Sequence, residues 1–497
     1  MPGTPGRRPR VAKHFSVTAV FMIIAFAGAW FAFLYLWEGQ PRRGLFSPHY
    51  DDFRLLANAL ARTSVTLIST VFACLFLAIP LTANMFTPQL IENFWRARSN
   101  RIILGLYVFS AGNAVWLNGV PAKEQIPRVH LAVSLGLVLL TVVLLLPYLF
   151  SIFRQIDPAQ IVARVSENVQ RAMRSTTPGP DGRYRDVLAR RIQDLGNLAL
   201  RMLERADRDG AILAVAALED CAEQWIGIKG KHKPAFFVVD SSHFPGLSKP
   251  ALQLINETRT WVEWEILQQF LRGFDAALAR APDVISAIGR SLRHLATTAA
   301  AADDDGALEF CLRASNNFMR EAVKRRDIHA VYDLLWQRTE LSRAIWSSHP
   351  KSVLQRVREL NYYASLAADS GILFARALVT YDLGRLLAEV EGHPEERNSI
   401  FDTLLAAGQP AGTDRAVRKA RLVAAARFEN NGDHGYALRL MEQLQDWPKE
   451  TLQDTANEIL SAERWFWEIT DRQENLNWLD DAEKSALRRL VGLEEAR

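Results

Sequence analysis

Four stretches near the N-terminus contain no Asp, Glu, Lys or Arg: Phe15 to Trp37, Thr63 to Ile91, Ile102 to Ala122 and Val129 to Phe153. About 20 residues of helix, at 1.5 Å rise each, cross a hydrocarbon core roughly 30 Å thick. The pattern therefore predicts four transmembrane helices, at about residues 15–37, 63–88, 102–119 and 129–153. Arg7, Arg8, Arg10 and Lys13 precede the first stretch as in a signal peptide. Its apolar run is too long for one, and bulky Leu34, Tyr35, Leu36 and Trp37 stand where small residues would permit cleavage, so it reads as an anchor.

Beyond the membrane the pattern is helical and amphipathic. Arg154 to about Arg174 reads as a helix leaving the bilayer, and Ser175 to Gly182 is a cluster of turn formers. Leu188, Ile192, Leu195, Ala199 and Met202 then recur at steps of three and four, with Arg190, Arg191, Asp194 and Arg201 between them. A second break covers Gly227 to Pro250, where Ala235 to Val239 is the one short apolar run with strand character. From Ala251 onward, amphipathic helices alternate with breaks near Ala281, Asp303, His349, Gly392 and Gly408. Ala416 to Gln445 reads as a tetratricopeptide-style helical hairpin, but a fixed 34-residue period does not fit its neighbours. The expected fold is all-α. A four-helix transmembrane domain (1–154) is followed by an exit helix and linker (155–184), a cytoplasmic helical domain (185–300) and an irregular helical-hairpin array (301–497).

Charge sets the orientation. With a cytoplasmic N-terminus, the inner side holds Arg7, Arg8, Arg10, Lys13, Arg96, Arg98, Arg101, Arg154, Arg164 and Arg171. The outer loops hold Arg42, Arg43, Arg54, Arg62, Lys123 and Arg128. This positive-inside bias places the chain in a bacterial inner membrane, multi-pass, with both termini cytoplasmic. Trp37, Trp95 and Trp116 lie near span ends, where interfacial aromatics are expected. Cys74, Cys221 and Cys311 form no close pair or metal-ligand spacing, so they read as buried small residues.

The stretch Ser69 to Arg101, including Thr82 to Leu90, Asn93, Phe94 and Arg98 to Tyr107, resembles the bacterial predicted membrane proteins of domain of unknown function 2254. The resemblance continues through the fourth stretch into Gln155 to Arg164, and more weakly to about residue 300. It implies a membrane architecture and brings no established activity. Two positions depart from the family pattern: Glu204 to Gly210 replaces a proline-rich turn, and Gln89 stands where the family usually has Arg.

No Asp, Glu, Lys or Arg lies within any expected span, which disfavours a coupled ion pump, and His130 reads as an interfacial histidine. Uncharged polar residues are the candidates for function there: Thr63, Thr66, Ser69, Thr70, Thr82, Asn84, Ser110 and Asn113 could line a water-filled path or join helices by hydrogen bonds. Pro80 and Pro147 interrupt their stretches and could kink them. Arg96, Arg98 and Arg101 are expected to meet anionic lipid headgroups. The net charge of +4, with no recognition motif, excludes nucleic-acid binding. Phosphate-loop, dinucleotide, metalloprotease and serine-hydrolase signatures are missing, so no catalysis, cofactor or metal is expected. The segment Gly227 to Lys233 lacks the spacing of a phosphate loop, and Asp303 to Gly306 suits a helix-capping turn better than a calcium loop.

Two functions fit. The first is an oligomeric channel-like pore with a cytoplasmic helical sensor or gate, favoured because four spans exceed what an anchor needs. The alternative is a membrane-anchored scaffold or regulator that docks a cytoplasmic protein partner through its helical array, around Tyr332 to Tyr381 or Ala416 to Met441. Either would contact membrane lipids, and a homo-oligomer is expected.

Overall fold

The computed structural model describes residues 50–85, 98–119, 128–175, 183–244, 246–407, 415–466 and 472–493. Among these are eighteen α-helices and no β-strand, with one isolated bridge between Trp465 and Glu474. Contacts divide the chain into two compact units, Met1–Ile161 and Val162–Arg497.

In the first unit, α1 (Tyr50–Met85), α2 (Arg98–Gly119) and α3 (Arg128–Ile156) are each long and apolar enough to cross a membrane. Thus three such helices, not four, occur among the described residues. The expected span at 15–37 lies outside them. Phe53, Ala57, Leu60 and Ala61 of α1 pack against Ala114 and Leu117 of α2 and Leu131 and Val138 of α3. A second cluster joins Val71 and Leu75 to Leu104, Tyr107, Tyr148 and Ile152. Phe76, Ile102, Phe109, Trp116, Leu146 and Phe150 point outward and are exposed. Such an apolar exterior suits lipid, and a helix satisfies its own backbone there.

α1 starts well before the apolar stretch at Thr63, so Arg54 and Arg62 lie on a helix and not in an outer loop. Phe53, Ala57, Leu60 and Ala61 recur at helical spacing and are buried, which extends the helix over intervening charges. Asp51 and Asp52 in its first turn also complement the helix dipole.

The second unit begins in α4 (Pro158–Met173) and continues as stacked hairpins. These pair α5 (Arg183–Glu204) with α6 (Arg208–Ile228), and α8 (Trp261–Ala277) with α9 (Pro282–Ala301). Next come α10 (Asp305–Arg325) with α11 (Ile328–Ile345), and α12 (Pro350–Asp369) with α13 (Phe374–Glu389). In a fifth, α14 (Pro394–Ala406) precedes α15 (Arg415–Asn430). The second helices form one layer, α6 against α9 against α11 against α13 against α15. The first helices form another, α5 against α8 against α10 against α12 against α14. The stack runs past residue 300 without a boundary between units. Four of the first helices start at Trp261, Asp305, Pro350 and Pro394, a period of 44 to 45 residues. That spacing lies in the range of HEAT and armadillo units, about 40–47 residues, and not at 34. α16 (His434–Glu442), α17 (Lys449–Leu460) and α18 (Asp481–Val491) complete the chain, and α16 and α18 pack on α15.

One turn recurs between helices. A residue with left-handed φ precedes an aspartate whose side chain accepts a hydrogen bond from the third residue after it. Ala206, Asp303 and Arg326 take positive φ, and Asp207, Asp304 and Asp327 cap through Gly210, Ala307 and Ala330. The Asp303 to Gly306 turn thus caps α10.

Between α6 and α8 lies an excursion containing α7 (Lys249–Thr258). Residues Ala235 to Val239 are not a strand: Pro234–Phe236 is a single turn of 3₁₀ helix. Burial decides the conformation. The Phe236 ring packs against Trp225 and Trp261, and Trp261 Nε1 donates to the Phe236 carbonyl at 3.1 Å. The basic Gly227 to Lys233 segment is no phosphate loop either, because Lys229 Nζ is half-enclosed between Glu263 and Asp304, at 2.7 and 2.6 Å.

Candidate functional site

Within the membrane unit, the polar candidates separate into two kinds. Asn113 on α2 donates to Ser134 Oγ on α3 at 2.6 Å, so it joins two helices. Ser110 is buried inside the same bundle. Thr63, Thr66, Ser69 and Thr70 lie on an exposed face of α1, and Thr66 and Thr70 hydroxyls donate to the carbonyls of Arg62 and Thr66, both at 2.9 Å. Thr82 and Asn84 lie near the end of α1, Arg98 and Arg101 begin α2, and Arg101 is exposed. Arg96 lies outside the described residues. The Trp116 ring packs tilted against His130, with centroids 4.9 Å apart, as two interfacial rings would.

The richest polar constellation is in the second unit, on α11, α13 and α15. Gly384 lets α13 lie close on α15: a Cβ there would stand 2.6 Å from that of Ala424. This approach sets the walls of a cavity of about 400 Å³, whose lining includes Asp382, Arg385, Glu389, Arg427, Asn431 and Trp478.

Arg472 enters from the chain between α17 and α18. Its guanidinium forks onto the Asp382 carboxylate, with Nη2 to Oδ2 at 3.0 Å, and both side chains are buried. It also lies 4.8 Å from the Tyr332 ring centroid and 5.0 Å from that of Trp336. A planar guanidinium suits this double demand, since it can bond a carboxylate along one edge and stack on aromatic faces. Arg385 Nε bonds Glu389 at 2.8 Å and its Nη1 bonds Glu474 at 3.1 Å. Burial works against the Arg385 charge, but Glu389, Glu474 and Glu340 outweigh it and raise its pKa. Tyr381 OH donates to Asn477 Oδ1, and burial raises its pKa. Arg427 Nη2 donates to the Trp478 carbonyl at 3.2 Å, and burial lowers its pKa. Burial raises the Glu483 pKa at the far wall. The site can hold groups of both signs and contains no nucleophile paired with a base.

A broader groove of about 720 Å³ lies along α6 and α9. Glu219 there accepts from Ser291 Oγ at 2.5 Å and contacts His294 Nδ1 at 2.7 Å. The carboxylate sits between the serine and the histidine, so the imidazole does not hold the serine hydroxyl as a general base must. The three cysteines are free, and burial raises the thiols of Cys221 and Cys311 to about 11 and about 12. They suit inert packing.

Tyr332 and Tyr381 bound the docking stretch expected from the sequence; Tyr381 lines the cavity on α13 and α15, and Tyr332 lies against Arg472. Asp382 and Arg472 were not singled out, because they are 90 positions apart and no local pattern joins them. An arginine in a turn-rich segment rich in Trp, Arg464 to Asp480, is the signal that was there to be read.

Comparison with known proteins adds the following. Residues 12–229 match the family described as Predicted membrane protein (DUF2254), ending at the close of α6 and short of residue 300. No curated protein matches the chain. A solved structure described as "Circular tandem repeat protein with novel repeat topology and enhanced subunit contact surfaces" is similar at 15% identity, covering 88% of this chain and 94% of that chain, with a TM-score of 0.34. A similarity that loose carries no argument here.

Proposed function

Residues 12–229 belong to the DUF2254 family of predicted membrane proteins, and from that premise we propose that this chain is a membrane-anchored docking protein. In this reading α1 to α3 hold it in a bacterial inner membrane, and the hairpin stack receives a cytoplasmic protein. The observation that carries the reading is the groove on α13 and α15, where Tyr381, Trp478 and paired charges line a cavity of about 400 Å³, with Tyr332 and Trp336 of α11 behind it against Arg472. Stacked helical hairpins characteristically offer such surfaces to partners. The reading needs no catalytic group, cofactor or metal.

The test uses the full-length protein in nanodiscs, comparing wild type with a variant carrying Arg464→Glu and Asn431→Glu at the rim of the cavity. Wild type retains a stoichiometric protein partner, and the variant loses at least tenfold of it. Equal recovery rejects the groove as the docking site.

The channel reading retains one supporting observation. Thr66, Ser69 and Thr70 form a hydroxyl-bearing face of α1 that is exposed in the single chain, and such a face could meet its copies in a homo-oligomer. Asn113, by contrast, is used in joining α2 to α3, and Ser110 is buried inside the bundle. Ion flux through reconstituted proteoliposomes decides this second reading.

A further inference from the structure

Residues 472–480 cross the groove as a non-helical segment whose groups are received one after another by the stack. Arg472 goes to Asp382 between Tyr332 and Trp336. Glu474 goes to Arg385 at 3.1 Å, Asn477 to Tyr381, and the Trp478 carbonyl to Arg427. All these partners lie on α11, α13 and α15, and the segment leaves a cavity of about 400 Å³ beside it. The segment holds its place imperfectly. Arg472 Nε is buried with no hydrogen-bond partner, and Gln473, directly after it, takes a left-handed φ of 54° that non-glycine residues rarely adopt. At its other end Leu479 is fully buried in the cluster with Leu487 and Val491 of α18, and Asp480 caps α18. The segment is therefore anchored at one end and bound by polar contacts at the other.

These are the features of a ligand in a receptor, so we propose that the groove recognises a peptide with an arginine followed two residues later by a carboxylate. Residues 472–478 are its built-in occupant, tethered by Leu479 and Asp480, and a partner protein docks by displacing them. The inference rests on the docking reading and names its partner's chemistry. Arginine is required because a lysine ammonium is a point charge, which cannot both fork onto Asp382 and spread its charge beside two rings. A tethered occupant competes at an effective concentration of order millimolar for a short linker, which keeps weak partners out.

The test measures binding of a fluorescent peptide with the sequence of residues 472–480 to full-length protein in detergent, by polarisation. Arg472→Ala protein, its own occupant disarmed, binds the peptide at least tenfold more tightly than wild type. Adding Asp382→Asn removes that gain, and so does replacing the peptide's arginine by alanine. Binding that ignores Asp382 or the peptide's arginine overturns the proposal, as does equal weak binding to all proteins. Should Arg472→Ala not fold, hydrogen exchange in the wild type decides. The amides of Phe466 and Asn475, bonded to Gln473 and Arg464 carbonyls, exchange at least 100-fold faster than interior amides of α13 if the occupant is displaceable. Exchange in step with α13 overturns it. Rim-sensitive partner capture without Asp382-dependent peptide binding removes only this inference; Asp382-dependent peptide binding with capture equal in wild type and the rim variant removes the docking reading instead.

Discussion

Asn113 and His232 show how a polar side chain acts once its surroundings are known. The part-buried Asn113 to Ser134 hydrogen bond joins α2 to α3 and fixes how they face each other. Such interhelical bonds contribute on the order of 0.6 kcal/mol. Asn113→Leu should therefore lower the unfolding free energy in detergent by roughly that amount, and it should leave partner capture unchanged. A conductance change in proteoliposomes would instead return Asn113 to a pore. His232 packs 5.0 Å from Trp225 and 4.6 Å from Phe236, and burial lowers its pKa below 6.5, against a hydrogen bond to Met173. The folded chain then binds this proton less readily than the unfolded one. The stability it supports is present above pH 6.5 and is lost as pH falls toward the folded value. Urea midpoints measured from pH 7.5 to 5 should fall in wild type and fall less in His232→Phe. At these positions the sequence showed the polarity but not the partner, because Ser134 and the Trp225 ring reach their positions only through helix packing.

Among the helices, the aspartate turn is the repeated device, and its positions differ in what they hold. Asp207 caps α6 through one bond to Gly210 N. Asp327 caps α11 through Ala330 N at 3.0 Å, and its second oxygen accepts from Ala279 N, in the preceding hairpin, at 2.8 Å. Removing a cap costs about 1 kcal/mol, and losing the second hydrogen bond, to the exposed Ala279 N, costs about 1 more. Asp327→Ala should thus destabilise the stack by about 2 kcal/mol, against about 1 for Asp207→Ala. Urea unfolding of the full-length protein followed by tryptophan fluorescence measures both, and equal losses would show that Asp327 does not link hairpins. The helices and most breaks were legible from apolar spacing and from Pro282, Pro350 and Pro394, each of which opens a helix of the stack. The period was harder to see. Residues 229–258 separate the first two hairpins, so the 44 to 45 residue spacing emerges only from Trp261 onward. The run with strand character at Ala235 to Val239 is not a strand, because a short apolar run bounded by Pro234 can be buried as a turn as readily as a strand.

Across the whole chain, a membrane unit and a hairpin stack divide the work. Length and charge-free runs made the spans legible, since crossing a bilayer needs only composition and about 20 residues of helix. The groove was legible only in part: its aromatic wall fell within the expected Tyr332 to Tyr381 stretch, whereas the Arg472 to Asp382 pair depends on a chain that returns from far along the sequence. Docking on the stack and conduction through the membrane unit make opposite demands on where another protein is met. Photo-crosslinking in cells separates them most directly, with a photoreactive residue placed in turn at Asn431 or Arg464 beside the groove and at Thr66 on α1. Docking predicts one discrete adduct with a different protein from the groove positions and none of that size from Thr66. Crosslinks only between copies of this chain at Thr66, with no adduct from the groove, would contradict it.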